Sequence, residues 1–127
     1  MKWKAIELNP DDADAYNNHG IARDDKGDFD GALTDFTKAI KLQPDLAAAY
    51  YNRGNAEAAK KDWDGALADY TKAIQFRPGY FEAYNNRGNT KNEKGDLDGA
   101  KADYRKAIEL KPDFSAAQDN LDDLNKK

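Results

Sequence analysis

The sequence predicts an all-α array of repeated two-helix units, and three observations carry that prediction. Four prolines, Pro10, Pro44, Pro78 and Pro112, are spaced 34 residues apart. The same interval separates Tyr16, Tyr50 and Tyr84; Gly20, Gly54 and Gly88; Asp28, Asp62 and Asp96; Ala32, Ala66 and Ala100; Ala39, Ala73 and Ala107; and Ile40, Ile74 and Ile108. Inside one interval, Trp63, Ala66, Leu67, Tyr70, Ala73 and Ile74 recur at steps of three and four, the spacing of a single buried helical stripe. A fixed period of this length is the signature of stacked supersecondary units.

The elements follow in order. Residues 2–8 match only the last turns of a second helix and form a half unit. Full units span 13–46, 47–80 and 81–114, and a capping helix covers 115–125. The first helix of each unit begins after Pro-Asp or Pro-Gly, where a short polar or flexible residue can cap the free amides, and runs 13–26, 47–60 and 81–94. It ends at Gly27 and Gly95, with Lys61 in the corresponding place of the middle unit. The second helix opens at Asp-x-Asp-Gly-Ala, which places carboxylates at the positive end of its dipole, and runs 30–43, 64–77 and 98–111. Proline then stops it.

Composition sets narrow bounds. Of 127 residues, 35% are charged and 39% hydrophobic, and alanine supplies 21 of the 50 hydrophobic ones. Leu, Ile, Val and Phe together make only 19 residues, so little bulky surface is available to offset an ordering cost of about 1–2 kcal/mol per residue. Folding therefore requires that the few large side chains recur regularly and that small residues let helices approach closely. With no Cys, one His and one Ser, disulfides, zinc–thiolate sites and a Ser–His triad are excluded or left without material. Net charge of -4 disfavours nucleic acid, no long apolar run suits a membrane, and the polar start is unlike a secretory signal. A cytoplasmic, non-catalytic chain without cofactor or metal is expected.

The Asp-x-Asp-Gly segments at 28–31, 62–65 and 96–99 have the look of a calcium loop. Aligned on its glycine, however, Lys26, Lys60 and Lys94 fall at the first carboxylate ligand, and Thr37, Thr71 and Arg105 at the bidentate glutamate. Helix-start carboxylates explain the same residues. His19 belongs to the column of Arg53 and Arg87, and carboxylate neighbours such as Asp24 and Asp25 point apart along a helix.

Tyr16, Gly20, Phe29, Ala32, Phe36, Ala39 and Pro44 in the first unit resemble the tetratricopeptide repeat pattern of aromatic, Gly, aromatic, Ala, aromatic, Ala and Pro. Tyr50, Gly54, Trp63, Ala66, Tyr70, Ala73 and Pro78 repeat it, as do Tyr84, Gly88, Leu97, Ala100, Tyr104, Ala107 and Pro112. The resemblance covers essentially the whole chain. It implies an all-α, right-handed superhelical solenoid of antiparallel helix pairs, three full units plus a half unit at each end, whose first helices line a concave groove. Two columns depart from the family. His19, Arg53 and Arg87 precede the glycines where a large apolar residue is usual, and Asp35, Asp69 and Asp103 replace an aromatic. Two partly buried polar columns need each other, so Arg53 is expected to pair with Asp69 or Asp35, and Arg87 with Asp103 or Asp69. A further aromatic column holds Arg23, Glu57 and Lys91, expected at the solvent edge.

Asparagine marks the candidate binding face. Asn18, Asn52, Asn86 and Asn120 keep the 34-residue interval, with Asn17, Ile21, Tyr51, Asn55, Asn85 and Asn89 beside them. An amide offers both a donor and an acceptor to a peptide backbone. The arrangement resembles the asparagine ladder of the O-linked N-acetylglucosamine transferase superhelix. The bland reading is that these amides bond neighbouring helices. A clamp for acidic chaperone tails would need basic residues in place of Asn17, Glu82 and Asn86 and an asparagine in place of Ile21; only Asn52 fits. Asp14, Asp24, Asp25, Glu82, Glu93 and Asp119 on that face repel a carboxylate terminus. The expected partner is a neutral to basic protein or peptide, extended or helical. The alternative is a self-assembling scaffold, a homo-oligomer formed through the N-terminal end, where Trp3 has no repeat-based reason to be buried.

Overall fold

A computed structural model describes residues 11–126. The half unit at 2–8, with Trp3 and the oligomer contact expected there, lies outside them. Seven helices and no strand are found among the described residues: α1 (Ala13–Asp25), α2 (Phe29–Leu42), α3 (Ala47–Ala59), α4 (Trp63–Phe76), α5 (Phe81–Glu93), α6 (Leu97–Leu110) and α7 (Ser115–Asn125). Each expected boundary lies within one residue of the helix observed.

A short turn makes each helix pair antiparallel. Asp28 serves both partners: its N–H donates to the Arg23 carbonyl at 2.9 Å, closing α1, and its carboxylate accepts from the Gly31 N–H at 3.0 Å, opening α2. Asp62 and Asp96 do the same for the following pairs. The residue before each aspartate is in the left-handed region, Gly27 at φ 82° and Gly95 at φ 85°, but the middle turn puts Lys61 there at φ 64°.

The starts of the first helices differ from the expectation. Asp12 caps α1 through its side chain, which accepts from the Ala15 N–H. The caps of α3, α5 and α7 are instead Leu46, Tyr80 and Phe114, which make no side-chain cap bond. The Pro-Asp or Pro-Gly residue lies one position too early to cap. Packing decides these ends: Tyr80 is buried, Leu46 joins an apolar cluster with Ala13, Ala39 and Ala49, and Phe114 meets the edge of Phe81 at 5.0 Å.

The helices form two layers. First helices α1, α3, α5 and the cap α7 touch one another in sequence, whereas α2, α4 and α6 touch only first helices. The first helices thus form the inner layer of the superhelix. Between layers the core is mostly alanine, with Ala32, Ala39, Ala66, Ala73, Ala100 and Ala107 at 0% exposure. Phe36, Tyr70 and Tyr104 are the large fully buried rings. Each lies on a glycine of the first helix: a Cβ on Gly54 would stand 2.8 Å from the Tyr70 ring. No helix among the described residues is long and apolar enough to cross a membrane.

A side chain at φ 64° costs about 1 kcal/mol that glycine avoids. Lys61→Gly is therefore expected to raise stability by roughly that amount, read as an upward shift of the urea midpoint. An unchanged or lowered midpoint would show that the turn carries no such strain.

Candidate functional site

The two polar columns meet inside each unit. Arg53 grips Asp69 in bidentate fashion, Nε to Oδ2 at 2.7 Å and Nη2 to Oδ1 at 2.8 Å, and its third nitrogen reaches Thr37 of the preceding unit at 3.3 Å. Arg87 repeats this with Asp103 at 2.8 Å for both bonds and with Thr71 at 3.3 Å. His19 Nδ1 lies 2.7 Å from Asp35 in the first unit. Of the two pairings open from sequence, the one within a unit forms, because the hairpin sets the partners side by side on facing helices. Such charge-assisted forks satisfy the carboxylates of Asp69 and Asp103, which like Asp35 are buried.

Arg23, Glu57 and Lys91 are not at the solvent edge. All three are half-buried. Arg23 Nε stands 3.6 Å from Asp35, and Lys91 Nζ stands 3.0 Å from Asp103. Glu57 occupies the same column but brings a second negative group to Asp69. Burial, with hydrogen bonding and repulsion from Asp69 behind it, pushes the Glu57 carboxyl up to about 9. The column is thus the third member of an interior polar cluster, reached by long side chains that sequence spacing alone places outside.

The inner face holds the asparagines, and the structure joins them across units. Asn52 donates to Asn17 at 3.1 Å. Asn86 donates to the Tyr51 hydroxyl and to Asn55, both at 3.0 Å. Asn120 donates to Asn85 at 3.0 Å and to Asn89 at 3.2 Å. Asn55 and Asn89 also accept from the hydroxyls of Tyr70 and Tyr104, each at 2.6 Å. Asn17 and Asn85 are 8% and 6% exposed. Ile21 packs with Ala32, Phe36 and Ala56, and Tyr51 lies 4.8 Å from the Tyr80 ring. Asn18 and Asn89 are exposed, and Asn52, Asn55, Asn86 and Asn120 are half-exposed.

Sequence reasoning missed the tyrosine hydroxyls. A signal was present: where Tyr70 and Tyr104 have a hydroxyl, the first helix has Asn55 or Asn89, and where Phe36 lacks one, it has Ile21. Also unforeseen is a cavity of about 360 Å³ between the second and third units, walled in part by Trp63, Tyr70, Asn86 and Glu93.

A family model described as tetratricopeptide repeat matches residues 17–81, and a second of the same description matches residues 81–114. The chain belongs to the tetratricopeptide repeat family. Its fold is close to the first tetratricopeptide domain of Spaghetti (RPAP3) bound to the HSP90 peptide SRMEEVD, at TM-score 0.87 and 26% identity over 90% of each chain. MamA is similar at TM-score 0.90 and 25% identity, over 98% of this chain and 73% of that one. The tetratricopeptide domain of Arabidopsis OM64 is similar at TM-score 0.88 and 28% identity, over 90% and 94%. No curated protein sequence matches the chain. Within this tetratricopeptide array, the inner helices carry the amides that the repeat brings into register.

Glu57 makes the array sensitive to pH. Its carboxyl titrates near 4.5 when unfolded and near 9 when folded, so between those values the folded state holds one more proton. This group's contribution to stability therefore falls as pH rises through that window. Glu57→Gln keeps the neutral shape. Its melting temperature is expected to match the parent near pH 5 and to exceed it increasingly toward pH 9; a constant offset would contradict the assignment.

Proposed function

We propose that the chain is a non-catalytic protein-interaction module that lays an extended or helical peptide along its inner face. Asn18, Asn52, Asn86 and Asn120 supply the rungs of the ladder. The observation that carries the reading is their partial engagement: the N–H groups of Asn52, Asn86 and Asn120 donate to the preceding unit, which orients the amides, while the carbonyl oxygens of Asn52 and Asn120 accept no hydrogen bond among the described residues and are left to a peptide N–H. Asn17 and Asn85, being buried, and Ile21, in its apolar cluster, hold the face in place. Tyr51, Asn55 and Asn89 flank the rungs.

Peptide binding by structural relatives supports the class of partner. The RPAP3 domains are complexes with the HSP90 peptide SRMEEVD and the HSP70 peptide SGPTIEEVD. An acidic tail of that kind suits this chain poorly. Asn17, Glu82 and Asn86 offer no cation, and exposed Asp14, Asp25, Glu93 and Asp119 are anionic. A neutral to basic peptide fits instead, with an affinity that weakens in salt, and neither nucleic acid nor membrane is the partner. Assembly through array ends is the rival reading. The described end disfavours pairing of two α7 helices, since Asp119, Asp122 and Asp123 are exposed on it and repel their copies.

A net hydrogen bond contributes about 1 kcal/mol, so four rungs alone account for affinity on the order of millimolar, and the micromolar affinity expected requires added contacts such as stacking on Tyr51. Peptide-library capture by the purified chain is expected to be lost in the Asn52→Ala, Asn86→Ala double variant while helicity is retained. Unchanged capture would end the ladder reading.

A further inference from the structure

The cavity between the second and third units lies at the meeting of α3, α4 and α5. Its volume of about 360 Å³ is at the small end for ligand sites and suits one long side chain rather than a free cofactor. Its chemistry is one-sided. Trp63 and Tyr70 give aromatic wall, Asn89 and Asn92 give amides, and Glu93 gives a carboxylate; no lysine or arginine lines it. Nearby cations are committed elsewhere: Lys91 to Asp103, Lys94 to Asp64 and Lys60 to Asp30. Glu93 makes no ion pair among the described residues.

The residues that shape the cavity wall are particular to this junction. Ala58 forms part of its wall, and the same column carries the larger Asp24 in the first unit and Asn92 in the third. Trp63, likewise, stands where the other units have Phe29 and Leu97. The repeat thus places its widest aromatic and its smallest wall residue together once, beside an exposed acid.

We infer that this cavity is a specificity site for a lysine or arginine side chain of the bound peptide. The aliphatic stem lies along Trp63, the charged head reaches Glu93, and the amides complete its hydrogen bonds. Asn86, an adjoining rung of the ladder, is itself part of the wall, so a peptide on the rungs passes the mouth. The inference rests on the peptide-binding reading and adds the side chain that the module selects.

The test uses the full chain as Trp3→Phe, which leaves Trp63 the sole indole. Its emission is followed while an Ala-Ser decapeptide with two central lysines is added, and calorimetry records total binding. Twins of the peptide carry norleucine or glutamate instead. The expected result is a saturable change in Trp63 emission, with a midpoint for the lysine peptide roughly ten-fold below that for norleucine. Glu93→Gln, at an exposed position, is expected to erase the difference, and Ala58→Asn to blunt it by filling the wall. Equal midpoints for lysine and norleucine, a preference that survives Glu93→Gln, or calorimetric binding without any change at Trp63 would overturn the inference and leave the ladder standing. Absence of binding by all three peptides would remove both.

Discussion

The contact of an aromatic ring with a bare glycine backbone governs this array. Tyr70 lies on Gly54 so closely that no Cβ fits between them, and its ring is only 2% exposed. That seat aims the hydroxyl at Asn55, and Asn55 in turn holds Asn86 of the next unit. Gly88, Tyr104, Asn89 and Asn120 repeat the relay one unit on. A packing constraint between two helices of one unit is thereby passed to the inner face of the array. In the first unit Phe36 sits on Gly20 without a hydroxyl, Ile21 replaces the amide, and Asn52 turns to Asn17. Both versions are internally consistent, one polar and one apolar.

A chain this poor in large apolar residues folds because it wastes little of what it has. Alanines sealed at 0% exposure bring helix backbones together, which raises the number of dispersion contacts each small side chain makes. The interior charges do not oppose this, since Asp69 and Asp103 meet arginine forks whose geometry satisfies both carboxylate oxygens. The forks also reach a threonine of the unit before, so they bridge units as well as helices. Glu57 is the exception, an acid in a column where Arg23 and Lys91 supply cations, and it is accommodated by taking up a proton.

Periodicity made the fold legible. The 34-residue interval, the proline stops and the three-and-four stripe located every described helix to within one residue. Pairing of the Arg and Asp columns was legible too, because two polar columns in buried registers leave few partners. The apolar caps Leu46, Tyr80 and Phe114 were not, since local capping chemistry favours the preceding Asp or Gly and tertiary packing overrides it. The inward reach of Arg23 and Lys91 was missed because spacing gives the position of a Cα and not the end of a long side chain. Of the candidate site, the asparagine column was visible. The donation of its N–H groups to the preceding unit, and the tyrosine hydroxyls behind it, depend on distances between units that no single-chain pattern contains.

The relay from glycine to ring to amide is tested most directly by removing one oxygen atom. Tyr70→Phe copies the residue of the first unit and leaves the ring on Gly54. Side-chain amide resonances of Asn55 and Asn86, followed by nitrogen-15 NMR, are expected to shift and broaden while those of Asn120 and the helical content stay unchanged. If the Asn55 and Asn86 resonances keep their positions and widths in the variant, the hydroxyl does not organise the inner face and the relay is wrong.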